Sequence, residues 1–168
     1  MDFQAIKRER ACAVCLYQER ILMVNIQDNI TGRRFWAPPG GGVEEGEEFY
    51  LTAERETLEE TGQIVRAYPE TQLTKVYEFK FQEQIYVTET HFFLVEFIAE
   101  DPNFDSSRRE NEIFACEWST LENAFVRMTA YEEIQTAVYE LIYPLLRQRE
   151  GGRTDFIELS GSLLKKSF

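Results

Sequence analysis

The stretch Pro38–Gly62, "PPGGGVEEGEEFYLTAERETLEETG", holds eight glutamates, and Glu56, Glu59 and Glu60 crowd the end of a short helical segment. The pattern predicts a helix from about Glu47 to Thr61, with Gly46 as its N-cap and Gly62 as the left-handed residue that ends it. Glu47 and Glu48 then fall in the first turn, where the positive end of the macrodipole favours acids. Glu56, Glu59 and Glu60 fall at the opposite end, where the dipole opposes them. At about 100° per residue the three span about a third of the helix circumference. Glu56 and Glu60, one turn apart, also repel each other. Arg55 relieves only part of this. A solvated acidic face is the ordinary reading of such a run, but it leaves both penalties standing, and a divalent cation removes both. Magnesium takes oxygen ligands in octahedral geometry and keeps several waters, so two or three carboxylates on one helical face suit it.

The glycines before the helix fit the same chemistry. Gly40, Gly41 and Gly42 let the backbone come close to the helix end, offering carbonyl oxygens to a metal and amides to a phosphate. A glycine run alone would be only a turn. Combined with carboxylates at fixed spacing it is far more specific.

The stretch resembles the Nudix box, G-x5-E-x7-R-E-U-x-E-E-x-G-U, where U is bulky and apolar. Gly41 is followed at the required spacing by Glu47, Arg55-Glu56, Glu59-Glu60 and Gly62, so all seven fixed positions agree. Both U positions depart, with Thr57 at the first and Gln63 at the second; Thr57 can still turn its methyl inward, and Ile64 is expected to take the apolar role lost at Gln63. The resemblance extends to "RRFWAPPGGGVEEGE" and to "ENEIFACEWSTLEN", where Glu112 stands six residues before Trp118, a tryptophan expected to begin a short helix.

What this resemblance implies is an α+β chain with the Nudix fold, an α/β/α sandwich around a mixed sheet, and hydrolysis of a nucleoside diphosphate linked to another group. Carried over by position, Glu56 and Glu60 are the main magnesium ligands, Glu59 assists, and the carbonyl of Gly40 completes the set; manganese is a substitute ion. Arg55 and Glu47 are the ion pair that joins loop to helix, a structural role. Glu112 or a helix glutamate such as Glu59 takes a proton from water. Arg33, Arg34 and Trp36 are candidate substrate contacts, and Trp36, Tyr77, Phe79, Phe81, Tyr86, Phe92 and Phe93 are candidate base platforms, although aromatics in strands mostly fill cores. A nucleoside triphosphate or related small nucleotide is slightly favoured over ADP-ribose or a nucleotide sugar. The reading from a different class is a non-catalytic nucleotide sensor of the same fold, which would be expected to have lost box carboxylates that this chain keeps.

Composition bounds the rest. The chain has 168 residues, 43% of them apolar, with 30 acidic against 18 basic side chains and a formal charge of −12. That length suits one domain with a proper core. The negative balance disfavours a nucleic-acid groove or an anionic membrane as the main partner. Cys12, Cys15 and Cys116 fit reduced thiols in a cytoplasmic protein. Cys12 and Cys15 form a C-x-x-C, but inside "ACAVCLY" they belong to a strand whose positions three apart face opposite sides, which argues against a zinc or redox pair.

Outside the box, "ACAVCLYQERILMVNI" predicts two strands around a turn at Gln18 to Arg20, and "FWAPPGGG" is expected to be irregular because of its prolines and glycines. "TQLTKVYEFKF" and "QIYVTETHFFLVEFIAE" predict neighbouring antiparallel strands, and "EIFACEW" another, followed by a short helix capped by Ser119. A longer amphipathic helix then carries Tyr131, Ile134, Val138, Leu141, Ile142 and Leu145 on one face, with Pro144 positioned to kink or break its end. A single domain over residues 1–148 is expected, with a tail over 149–168 that reads as a docked appendage, a dimer arm or a free end, leaving a homodimer open.

Overall fold

The structure is a computed structural model that describes residues 4–149, so the tail from residue 150 onward lies outside the described residues. The first hairpin joins strand β1 (Ile6–Tyr17) to β2 (Arg20–Gln27) through Gln18 and Glu19, both at positive φ, the conformation that two-residue hairpins require. There follow β3 (Arg34–Ala37), β4 (Gly40–Gly42), helix α1 (Phe49–Thr61), β5 (Gln63–Ala67), β6 (Leu73–Phe81), β7 (Gln84–Glu100), β8 (Ile113–Thr120), α2 (Leu121–Arg127) and α3 (Glu132–Arg149).

The strands form one mixed sheet along the path β3-β2-β1-β7-β5, with β4 on β1, β6 on β7 and β8 on β2. Among the described residues only β1 and β7 run parallel, from Ile6 opposite Tyr86 to Cys15 opposite Val95. Strand alternation sends β1 side chains into two separate cores. Cys12, Val14 and Leu16 pack under α2 and α3 with Met128, Val138 and Ile142. Ala11, Ala13 and Cys15 pack under α1 with Ala53 and Phe93. The result is the expected α/β/α layering, and it places Cys12 and Cys15 on opposite faces. Burial pushes both thiols up to about 12, which suits inert packing rather than metal or redox chemistry.

Several elements differ from expectation. "FWAPPGGG" is not irregular: Pro38 and Pro39 sit between two short strands, where their missing amides cost no ladder bond, and the Pro39 carbonyl accepts from the Ala13 amide at 2.9 Å. Helix α1 begins at Phe49, not Glu47, because Gly46 (φ 77) turns the chain first and Glu48 becomes the N-cap residue. Glu47 and Glu48 therefore do not occupy the first turn. Strand β5 was not expected, and its alternation buries Gln63, Val65 and Ala67 while Ile64 is 38% exposed, so Val65 rather than Ile64 supplies the apolar contact. Thr57 keeps its place inside the helix by donating its hydroxyl to the Ala53 carbonyl at 2.7 Å.

Trp118 lies within β8, and the helix after it is capped by Thr120, whose hydroxyl accepts from the Asn123 amide; Ser119 is buried and bonds Glu117 instead. Pro144 does not break α3, which continues to Arg149. No helix among the described residues is long and apolar enough to cross a membrane.

Candidate active site

Helix α1 ends at Gly62, whose φ of 73 places it in the left-handed region and lets its amide return to the Leu58 carbonyl. The last two turns before that stop carry the three glutamates. Glu60 is buried and Glu59 is half-exposed. The Gly40 amide donates to Oε2 of Glu60 at 3.1 Å, so the glycine strand and the helix end meet directly. A Cβ on Gly41 would lie 2.4 Å from Cδ of Glu56 and would displace that carboxylate, and one on Gly40 would lie 2.3 Å from the Ala11 carbonyl oxygen, so it is Gly40 that the backbone approach requires.

Both inner carboxyls are held above the usual carboxylate range. Burial is the main cause at each, and at Glu60 the neighbouring Glu56 adds to it. A buried and a partly buried carboxylate that repel each other beside the Gly40 carbonyl form an oxygen-rich donor set that fits a hard divalent cation.

Arg55 joins the loop to the helix. Its Nε and Nη2 reach the two oxygens of Glu47 at 2.8 and 3.0 Å, and its Nη2 also donates to the Gly42 carbonyl at 3.1 Å. Its Nη1 donates to Glu56 at 2.8 Å and to Glu59 at 3.1 Å. The hydrogen bonds from Arg55, with a further one from the Thr52 hydroxyl, hold the Glu47 carboxyl down at about 2. Glu47 thus lies apart from the carboxylate cluster and anchors the guanidinium that orients it.

Two arginines that sequence reading passed over complete the site. Arg10 donates from Nη2 to the Gly40 carbonyl at 3.2 Å. Burial pulls its pKa down, but Cys12, Tyr77, Glu60 and Glu56 outweigh that and raise it, so the guanidinium stays charged. Arg8, two residues earlier on the same face of β1, pairs with Asp28 at 3.5 Å. Strand periodicity carried back from "ACAVCLY" into "KRER" is the signal that would have found them.

The glutamates, the glycine strand and these arginines line an open cleft of about 610 Å³. It adjoins a narrower slot of about 40 Å³ lined by Phe35, Tyr77, Phe79, Tyr131 and Ile134, with Arg8, Arg10 and Glu112 common to both.

Glu112 stands in the turn before β8, its carbonyl accepting from the Gln27 amide at 2.8 Å. Glu110 lines the cleft as well, and its charge bears on Glu56 and Glu60. The structure does not bring Arg33, Arg34 and Trp36 to the cleft lining. Arg33 reaches over Tyr131, Arg34 stacks on Phe114, and Trp36 packs beneath Arg127. Phe35, between them on β3, faces the slot together with Ala37, as alternation along a strand requires.

A model of the NUDIX domain family matches residues 7–141. An RNA pyrophosphohydrolase of Pelagibacter ubique (strain HTCC1062) is 26% identical over 127 residues, covering 66% of this chain and 78% of that protein. Among solved structures, a NUDIX hydrolase from Nitrosomonas europaea superposes with a TM-score of 0.60 at 19% identity, covering 82% of this chain and 89% of its own. An Ap4A hydrolase from C. elegans does so with a TM-score of 0.61 at 19% identity, covering 84% and 98%. With the fold shared and the domain match spanning most of its length, this chain belongs to the NUDIX family and is a Nudix hydrolase, an enzyme acting on phosphoric anhydride bonds.

Proposed function

We propose that the chain is a magnesium-dependent pyrophosphohydrolase whose substrate is a nucleoside triphosphate or a related small nucleotide. The observation that carries this reading is the pair of carboxyls, Glu60 buried and Glu56 partly buried, set against the glycine strand at the mouth of a cleft that adjoins an aromatic slot. Glu56 and Glu60 would hold the cation, with Glu59 and the Gly40 carbonyl beside them. When bound, magnesium offsets the charge of carboxylates and phosphates together and makes water a better nucleophile at neutral pH.

The chain's own groups do the remaining work. Arg55 fixes Glu56 and Glu59 by charge-assisted hydrogen bonds, and Arg10 fixes the Gly40 carbonyl. Arg8 and Arg10 give an otherwise acidic cleft a positive wall for phosphate oxygens. Glu112, at the junction of cleft and slot, accepts the proton of the attacking water; Glu110 and Glu59 are the alternatives within the same cleft. Tyr77, Phe79 and Tyr131 offer faces on which a base can stack.

A second substrate reading, the 5′-triphosphate end of an RNA, is favoured by the name of the Pelagibacter relative. The formal charge of −12 weighs against a polymer partner, since each phosphate beyond the first few meets an acidic surface. The test is a substrate panel of nucleoside triphosphates, dinucleoside polyphosphates, ADP-ribose, sugar nucleotides and a 5′-triphosphorylated oligonucleotide, assayed with magnesium and with chelator. We expect the highest kcat/KM among the mononucleotides and its loss on chelation. Preference for the oligonucleotide would replace the small-nucleotide reading, and hydrolysis unaffected by chelator would remove the metal from it.

A further inference from the structure

His91 is the only histidine in the chain, it is 2% exposed, and its Nε2 makes no hydrogen bond. A buried polar atom left in that state is costly and calls for a partner. Nε2 faces two carboxylates, lying 3.4 Å from Oε1 of Glu89 and 3.9 Å from Oε2 of Glu9. Glu9 and Glu89 are register partners on the parallel strands β1 and β7, so their like charges stand side by side on one face of the sheet. His91, two residues along β7, falls on that same face. One ligand atom from each of the three residues lies within 4.8 Å of the others.

These separations are long for hydrogen bonds. The 3.4 Å between Nε2 and Glu89 suits ligands that share an ion, since two donor atoms each about 2.1 Å from a tetrahedral cation lie about 3.4 Å apart, and the half-exposed Glu9 carboxylate would turn inward to join them. The far side of the ring is also prepared. Nδ1 lies 2.9 Å from the Thr74 hydroxyl oxygen and 3.1 Å from the Gln72 side-chain amide. A ligating histidine donates its second ring N–H to such an acceptor, which leaves the Nε2 lone pair free for a metal. Thr74 can accept that proton, and the Gln72 amide can turn to present its oxygen. Phe49 fixes the ring plane by stacking on it, with centroids 3.7 Å apart and planes 8° from parallel.

We propose that Glu9, Glu89 and His91 form a second divalent-cation site, separate from the helix carboxylates, whose one-nitrogen, two-oxygen donor set takes zinc or a similar transition ion in preference to magnesium. None of its ligands is a box glutamate, although Glu9 also lines the cleft. A cation there removes the Glu9–Glu89 repulsion and ties β1 to β7. It also braces the approach to the active site, because Phe49 is the first residue of α1 and the Glu9 carbonyl accepts from the Val43 amide at 3.1 Å. The role is structural support of the helix that carries the box glutamates.

The test uses untagged protein with Glu56→Gln and Glu60→Gln introduced together, so that zinc cannot be counted at the helix. Zinc affinity is read by competition with a chromophoric chelator, and ring occupancy by the NMR signals of the single imidazole. We expect one equivalent of zinc, resistant to millimolar magnesium, with the imidazole signals moving to an Nδ1-protonated, Nε2-ligated state. Thr74→Val should weaken binding by about 10-fold or more, and Glu89→Gln by more than that. His91→Gln should abolish it; if that buried change prevents folding, the half-exposed Glu9→Gln and Glu89→Gln decide. Imidazole signals that do not move at saturating zinc, or unchanged affinity in Glu89→Gln, would overturn the proposal. Because no turnover is measured, the outcome is independent of whether the hydrolase reading holds.

Discussion

At Glu60, burial and the neighbouring Glu56 push the carboxyl towards its neutral form, while the Gly40 amide and Arg10 pull the other way. Glu60→Gln keeps the shape and removes a buried charge. We expect a thermal midpoint unchanged or raised and kcat/KM at saturating magnesium lowered on the order of 100-fold or more. Activity equal to wild type, measured beside a melting curve, would take Glu60 out of the reaction. The glycines allow a paired comparison. Gly41→Ala drives a methyl against the Glu56 carboxyl, whereas a Cβ at Gly42 meets nothing within 4 Å. Gly41→Ala should displace the Glu56 carboxylate and cost most of the activity, with a smaller loss of stability because that side-chain end can swing aside, and Gly42→Ala should cost little of either. Equal kcat/KM in the two variants would mean that displacement of Glu56 is not what disfavours a side chain at position 41.

At the scale of elements, the loop before α1 and the helix itself are one unit because Arg55 bonds both. Arg55→Ala should therefore lower the thermal midpoint as well as kcat, and Arg55→Lys should rescue poorly, since an ammonium cannot make the forked contact with Glu47. A purely kinetic defect would contradict the structural role. The pH dependence follows in sign. Glu47 titrates at about 2 in the folded chain against a reference of 4.5, so its pairing stabilises above the unfolded pKa. That contribution fades as pH falls from about 4.5 towards 2, and the difference in midpoint between wild type and Arg55→Ala should shrink over that window.

This unit was also the most legible part of the sequence, because its spacings are local and each fixed residue has one steric or charge reason. Gly62 could be placed from residue order alone and the Arg55–Glu47 pair through the Nudix resemblance, whereas the residues by themselves put Glu47 in the first turn of a helix that starts only at Phe49. What the order hid was set by pairing between distant segments. Arg10 meets the Gly40 carbonyl only because β4 lies on β1, and "KRER" looks like a charged end until the strand is extended back to Ile6. Strand β5 was hidden by the short span between Gly62 and Tyr68, and β3 by the prolines that follow it. Glu110 reads as a loop acid until β8 folds against β2 and brings its turn to the cleft.

Over the whole molecule, seven of the 30 acidic side chains, Glu9, Glu44, Glu56, Glu59, Glu60, Glu110 and Glu112, share one cleft against three arginines, Arg8, Arg10 and Arg55. Folding brings these acids together, so the unbound native state carries repulsion that the unfolded chain does not. A cation that binds only the folded cleft should stabilise the entire domain by mass action. At a free magnesium concentration near 100 times Kd the gain is about 2.7 kcal/mol, which for a domain of this size shifts the midpoint by about 5–10 °C. The shift should vanish in the Glu56→Gln/Glu60→Gln double variant, whose own midpoint should sit closer to that of the magnesium-bound wild type. Monovalent salt matched for ionic strength serves as the control, because screening alone acts weakly on partly buried charges. If sodium chloride reproduces the magnesium shift, or the double variant retains it, the clustered glutamates are a solvated face and not a binding site.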